Sequence, residues 1–141
     1  MTVVVRGVGA GPFTTDITAG EHRLVADEPV EAGGSDLGPS PYDLLLAALG
    51  SCTAMTLRLY AARKGWPLDG VEVHLTHERV YADDCADCET RDLRLDRITR
   101  EVRLTGDLTP NQRGTLVALA DRCPVHRTLT ERLEIETRAL G

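Results

Sequence analysis

An α+β fold, with antiparallel sheets packed on a long central helix, is what the order of patterns along this chain predicts. Short segments of alternating apolar and polar residues occupy the first forty positions and return after residue 70. Between them lies one long apolar stretch that opens on helix-start residues, and a shorter one follows Thr109. Strands, long helix, strands, short helix and strand, in that order, mean antiparallel pairing and an α+β class. With 141 residues, 42% of them hydrophobic, the chain is expected to form a single domain over residues 1–141 with a core of its own.

Val3 and Val5 alternate with Val4 and Arg6; beyond Gly9-Ala10-Gly11-Pro12 come Phe13 to Ala19 and, past Gly20, His22 to Asp27. This is the pattern of a three-stranded meander. Glu31 to Pro39 holds too much glycine for regular structure. In Ser40-Pro41-Tyr42-Asp43 the helix start is explicit: Ser40 can cap, Pro41 has no amide hydrogen to leave unpaired, and Asp43 stands where the acid of a capping box belongs. The helix is expected to run to about Lys64, with Gly65 as a left-handed stop and Pro67 preventing continuation. At about 1.5 Å rise per residue it measures roughly 35 Å. Its first half is apolar on every side and is expected to be buried all round, with only Arg58, Arg63 and Lys64 solvated. One chain of this size covers such a helix with difficulty, so a homodimer that shares its core is expected.

Further on, Val71, Val73 and Leu75 alternate with Glu72, His74 and Thr76 as a half-buried strand. Ile98, Val102 and Leu104 continue the pattern in a second strand, where Arg100 interrupts the nominally inner face. Tyr81 to Asp96 between them reads as an elaborated hairpin tip. Thr109-Pro110-Asn111-Gln112 repeats the helix-start grammar, opening a short helix with Leu116, Val117, Leu119 and Ala120 on its apolar face and an end near Arg122-Cys123-Pro124. Leu133 and Ile135 against Glu134 and Glu136 predict a closing strand.

Composition narrows the function. A formal net charge of -6, with arginines interleaved among acids, argues against nucleic acid and against an acidic membrane surface, both of which call for clustered cations. Aromatic content of 4% leaves no platform for stacking bases. The amino end lacks a charged start followed by a long apolar block, and Arg58 breaks the apolar run of the long helix, so a soluble, intracellular protein is expected. A small molecule or a second copy of the chain is the expected partner.

Four cysteines, Cys52, Cys85, Cys88 and Cys123, are too few and too unevenly spread for a disulfide scaffold. Cys52 sits in the most apolar stretch, Leu44 to Met55, where a lone thiol is most simply read as packing. Reactivity there needs thiolate, which an apolar setting disfavours. The dipole of the Cys52 helix fades within its first turn, so a cation or donor from another segment is required.

The stretch Ser40-Pro41-Tyr42-Asp43-Leu44-Leu45-Leu46-Ala47-Ala48-Leu49-Gly50-Ser51-Cys52-Thr53-Ala54, taken with Cys123-Pro124-Val125-His126 downstream, resembles the OsmC/Ohr family of organic hydroperoxide reductases. In element order the resemblance covers nearly the whole chain. It implies an OsmC-like, intertwined homodimer, two long helices packed between sheets, and a peroxide pocket at the subunit interface. It further implies a thiol-dependent peroxidase, which with the intracellular reading above is expected to be cytoplasmic. Cys52 would be the peroxidatic thiolate that attacks an organic hydroperoxide, releases an alcohol and becomes a sulfenic acid. Cys123 would be the resolving thiol, forming a disulfide that needs the two Cα atoms within about 7 Å. A dithiol, a lipoyl group in the family precedent, would recycle the disulfide, and no cofactor or metal is implied. The family's typical enzymes carry a glutamate where this chain has Tyr42, followed by Asp43, and an arginine from an amino-terminal loop or strand. Arg6 and Arg23 are candidates for the latter by region, His126 by its proximity to Cys123. These departures mark a divergent member and keep open a second reading, a non-catalytic small-molecule-binding or redox-sensing protein on the same scaffold.

Cys85-Ala86-Asp87-Cys88 has the spacing of half a zinc site or of a redox pair. His77, Asp83, Asp84 and Glu89 are the local ligand options, but His74 and His77 point to opposite faces of a strand and cannot both contribute. A surface hairpin pair without a catalytic role is the expected reading. His22 and His74 are expected to be ordinary strand histidines, and Gly50-Ser51-Cys52 inside a helix lacks the strand-to-helix turn of a hydrolase elbow.

Overall fold

The computed structural model describes residues 2–7, 9–81 and 94–141, and the chain divides into two units, residues 1–47 and 48–141. In the first unit, β1 (Val3–Arg6), β2 (Thr15–Ala19) and β3 (His22–Ala26) form the expected antiparallel meander. Gly20, at φ 61°, and Glu21 make the tight hairpin between β2 and β3, a turn that favours glycine because φ is positive. Pairing of Val5 with Ile17 and of Ile17 with Leu24 sets these apolar side chains on one face of the sheet.

The glycine-rich loop after β3 folds around one buried carboxylate. Asp27, 1% exposed, accepts hydrogen bonds from Thr14 Oγ1 at 2.9 Å and from the backbone N–H groups of Glu28 at 2.8 Å and of Ser35 and Leu37 at 3.3 Å. Gly34 is required for this wrap, since a Cβ there would lie 2.0 Å from the Glu28 carbonyl oxygen. Burial opposes ionisation of Asp27, but the four donors, the Glu28 amide foremost, outweigh it and hold the carboxyl below its usual 3.8. A carboxylate whose value falls on folding stabilises the native state above the unfolded value, and that stability is lost as pH drops through the folded value. Thermal melts of the wild type are therefore expected to fall to lower temperature as pH drops below 3.8. Asp27→Asn should melt lower at neutral pH and show a shallower acid limb, whereas acid limbs of equal steepness would contradict the assignment.

The long helix, α1 (Pro41–Lys64), starts on the capping box read from the sequence. The Asp43 N–H donates to Ser40 Oγ at 3.2 Å and the Ser40 N–H to Asp43 Oδ2 at 3.0 Å. At its end Gly65 takes φ 68°, with the Trp66 N–H donating to the Ala61 carbonyl at 2.9 Å and the Gly65 N–H to that of Ala62 at 3.2 Å. That pairing satisfies carbonyls that would otherwise be left open.

In the second unit, β4 (Gly70–Tyr81) and β5 (Arg94–Thr105) pair antiparallel over their full length. Val71, Val73, Leu75 and His77 stand opposite Leu104, Val102, Arg100 and Ile98, and all of these are half-buried or buried while their neighbours are mostly open to solvent. Gly50 lets α1 approach this face: a Cβ there would come within 2.7 Å of Leu75 Cδ1. The capping box Thr109–Gln112 opens α2 (Pro110–Leu119), and the Arg113 guanidinium fastens that helix to the end of β5 by donating to the Leu104 and Gly106 carbonyls, both at 2.8 Å. Leu57 and Ala61 of α1 pack with Leu104, Leu108, Leu116 and Leu119 as the core. A 3-10 turn, Ala120–Arg122, then leads into α3 (Pro124–Thr130).

Three expectations are corrected. Pro124 opens a third helix instead of closing the second one, because a proline ring fits the first helical position as well as it blocks a later one. Leu133 to Glu136 forms no strand; Leu133 and Ile135 are exposed, with no strand among the described residues paired beside them to use their alternation. The first half of α1 is not enclosed within this chain. The buried positions of the helix, Leu49, Gly50, Thr53, Leu57 and Ala61, make one stripe, while Ala47 and Ala48 of the first half are exposed, as are Met55 and Leu59 further on, at 69% and 53%. By length and composition α1 would also suffice to cross a membrane, a property it shares with the core helices of many soluble proteins. The hairpin tip read over Tyr81 to Asp96, with Cys85 and Cys88, falls for the most part outside the described residues, although β4 and β5 run into it from both sides.

Candidate functional site

Cys52 lies on α1, half-buried, on the turn next to the buried Thr53, and Cys123 is fully buried at the junction between the 3-10 turn and α3. Both are free thiols. Local sequence explains each placement. Cys52 stands beside the buried stripe of α1 formed by Leu49, Gly50 and Thr53, and Cys123 precedes a proline that holds it in extended backbone as the cap of α3. In that position its Sγ accepts the His126 backbone N–H at 3.2 Å, a role more often filled by serine, threonine or aspartate.

The segment of chain that reaches the helical turn of Cys52, through Thr53, is β5. Arg100, on the inner face opposite Leu75, is only 11% exposed. Its Nη1–H donates to Thr53 Oγ1 at 3.1 Å, and the Thr53 hydroxyl in turn donates to the Leu49 carbonyl at 2.7 Å. Arg100 Nη2 donates to Asp121 Oδ1 at 3.1 Å and to His126 Nδ1 at 3.2 Å. One guanidinium thus links the helical turn of Cys52 to the helix that Cys123 caps. Asp121 is exposed, so its ion pair adds little to stability; its effect is to orient a planar fork. The Nε–H and one Nη1–H of Arg100 have no acceptor among the described residues.

Beside this network is a cavity of about 390 Å³. Arg100, His126 and Asp121 form its polar side, and Leu49, Ile98 and Leu129 its apolar side. Neither Cys52 nor Cys123 is among the residues that line it. Of the residues considered for the missing cation, Arg6 and Arg23 are exposed strand residues of the first unit, and His126 is a hydrogen-bond partner of Arg100. Arg100 is the residue that sequence reasoning did not assign, although its signal was present as a charge interrupting an apolar strand face. Thr53 and Asp121 carried no signal of their own. Among the described residues no three His, Cys, Asp or Glu side chains converge as a metal site requires.

The arrangement defines a class: an α+β protein with a thiol on its long helix, a second thiol capping a short one, and a buried arginine tied to the elements that carry both. The chain belongs to the OsmC-like protein family, whose model matches residues 33–138. Solved structures with the same fold include an organic hydroperoxide resistance protein OsmC from Legionella pneumophila, 20% identical, with a TM-score of 0.66 over 95% of this chain and 93% of that one. An OsmC like protein from Mycoplasma pneumoniae is 19% identical, with a TM-score of 0.68 over 91% and 84% of the two chains. The organic hydroperoxide resistance protein OhrB of Bacillus subtilis is 20% identical, with a TM-score of 0.61 over 94% and 92%. A search of the curated proteins finds no match.

Proposed function

We propose that the protein is a cytoplasmic thiol peroxidase that reduces organic hydroperoxides, with Cys52 as the peroxidatic and Cys123 as the resolving residue. The observation that carries the proposal is the Arg100–Thr53 hydrogen bond, which brings a cation with unengaged N–H donors to the turn that holds Cys52. Those donors suit a thiolate or a peroxide oxygen, the two sites where negative charge resides during the reaction. In the first step the Cys52 thiolate attacks the distal oxygen of ROOH; the O–O bond breaks, one proton goes to the departing alkoxide, and Cys52–SOH and ROH result. In the second, the Cys123 thiol attacks the sulfenic sulfur, forming the disulfide and releasing water. A dithiol reductant, with a lipoyl group as the family precedent, then returns both cysteines to thiols and is itself oxidised to a disulfide. The relatives whose names record organic hydroperoxide resistance support the substrate class. The half-apolar cavity supports an organic peroxide over hydrogen peroxide.

Consumption of cumene or tert-butyl hydroperoxide by wild-type protein with a dithiol reductant tests this reading; saturable turnover is expected, and stoichiometric or no consumption would refute it. One observation favours binding without catalysis, namely that neither thiol lines the cavity, and the same assay separates the two readings. The active form is proposed to be a homodimer in which a second copy covers Met55 and Leu59. Sedimentation should give a dimer mass, and a monomer mass independent of concentration would rule the dimer out.

A further inference from the structure

A guanidinium carries only donors. The 3.2 Å hydrogen bond between Arg100 Nη2 and His126 Nδ1 therefore requires Nδ1 to be unprotonated and leaves the ring proton on Nε2. We propose that neutral His126, in this tautomer, is a positioning residue for Arg100, and that protonation of its ring removes one of the acceptors that fix the Arg100 fork at the turn of Cys52, lowering the rate in acid; the catalytic half of this inference rests on the function proposed above.

The groups around the ring define what protonation does. From β5 come Arg100 and Asp96, both of which line the cavity with His126. Asp96 is held by His77 of β4 at 2.8 Å and by Arg79 at 3.6 Å. From the 3-10 turn comes Asp121, whose Oδ1 lies 3.1 Å from Arg100 Nη2 and 4.0 Å from His126 Nδ1. At the head of α3, Cys123 Sγ takes the backbone N–H of His126 and not its ring. Once Nδ1 gains a proton, two donors and two cations face each other where one donor met one acceptor. Asp121 is then the acceptor for which both compete, and at 75% exposure it is free to turn to either. Arg100 retains Thr53 through Nη1 but loses one of its three acceptors and shares another, Asp121, with the ring.

Two measurements test the proposal. In protein with 15N-labelled histidine and arginine side chains, NMR at neutral pH is expected to show His126 as the Nε2–H tautomer, with the Arg100 resonances shifting as His126 titrates. A ring protonated on Nδ1, or Arg100 resonances indifferent to the titration, would overturn it whether or not the protein reduces peroxides. In kinetics, kcat/KM of wild type is expected to fall more steeply in acid than that of a variant whose residue 126 accepts from Arg100 without gaining a proton. His126→Asn presents an amide oxygen that accepts from Arg100 and does not titrate, so its acid limb should be shallower than that of wild type. His126→Leu, with no acceptor, should lose about tenfold at all pH values relative to His126→Asn. Superimposable limbs for wild type and His126→Asn, or equal rates for the Asn and Leu variants, would contradict the role. A wild type without turnover would remove the function proposed above, and the NMR titration would then decide the tautomer and its link to Arg100.

Discussion

Cys52→Ser is expected to lower kcat/KM for an organic hydroperoxide by on the order of 10³ or more, with little change in the thermal midpoint. Serine matches the thiol in size, and Cys52 is only half-buried, so packing is preserved. What is lost is the nucleophile: a thiolate is a strong one near neutral pH, whereas a serine hydroxyl without an adjacent base is not. Sulfur also has a stable sulfenic state to accept the transferred oxygen. Cys123→Ser is expected to behave differently. A first turnover should proceed and leave Cys52 as sulfenic acid or its over-oxidised forms, while steady-state recycling by a dithiol slows.

Arg100→Leu is expected to reduce the rate of the peroxide step by about 10²–10³, the range found when one fixed donor at a developing charge is removed. Leucine fits the inner face of β5 between Ile98 and Val102, so the strand should persist, and near-native far-ultraviolet circular dichroism would confirm that it has. Arg100→Lys should fall between wild type and Arg100→Leu, since an ammonium retains the charge but not the fork that reaches Thr53, Asp121 and His126 together. Rapid-mixing kinetics with excess hydroperoxide would isolate the step, and an Arg100→Leu variant reacting as fast as wild type would show that Cys52 does not depend on this cation.

How much of this was legible in the sequence differs from element to element for physical reasons. The ends of α1 and α2 are local chemistry: Ser40 with Asp43, Thr109 with Gln112 and Gly65 each act within a few residues, and each forms the bond its spacing predicts. The alternation of β4 and β5 was equally plain, because a half-buried ribbon imposes a period of two. Leu133 and Ile135 show the limit of that argument. Their alternation is the same, but a strand exists only with a partner beside it, and local pattern carries no information about one. Pro124 was ambiguous because helix stops and helix starts both accept proline, and the choice depended on Cys123 capping the new helix through sulfur. The apolar character of α1 was correctly read, but composition does not say how much of a helix one chain can cover.

At the candidate site the two thiols were visible as motifs, and the need for a cation beside Cys52 followed from the apolar surroundings. Arg100, the cation proposed for that place, was visible only as an irregularity. Arg100 reads as a fault in the inner face of a strand until the register sets it opposite Leu75 and the packing of α1 brings Thr53 within reach. Its other partners, Asp121 and His126, come from a turn and a helix whose boundary was misread at Pro124, so the network could not be assembled from spacing.

The central claim is that Cys52 and Cys123 act as a redox couple, and peptide mass spectrometry after one equivalent of cumene hydroperoxide tests it most directly. A Cys52–Cys123 disulfide should account for most of the oxidised protein, with Cys52 sulfenic acid trapped by dimedone when Cys123 is replaced by serine. Oxidation that leaves Cys52 and Cys123 as free thiols, or that joins Cys85 to Cys88 in their place, would contradict it.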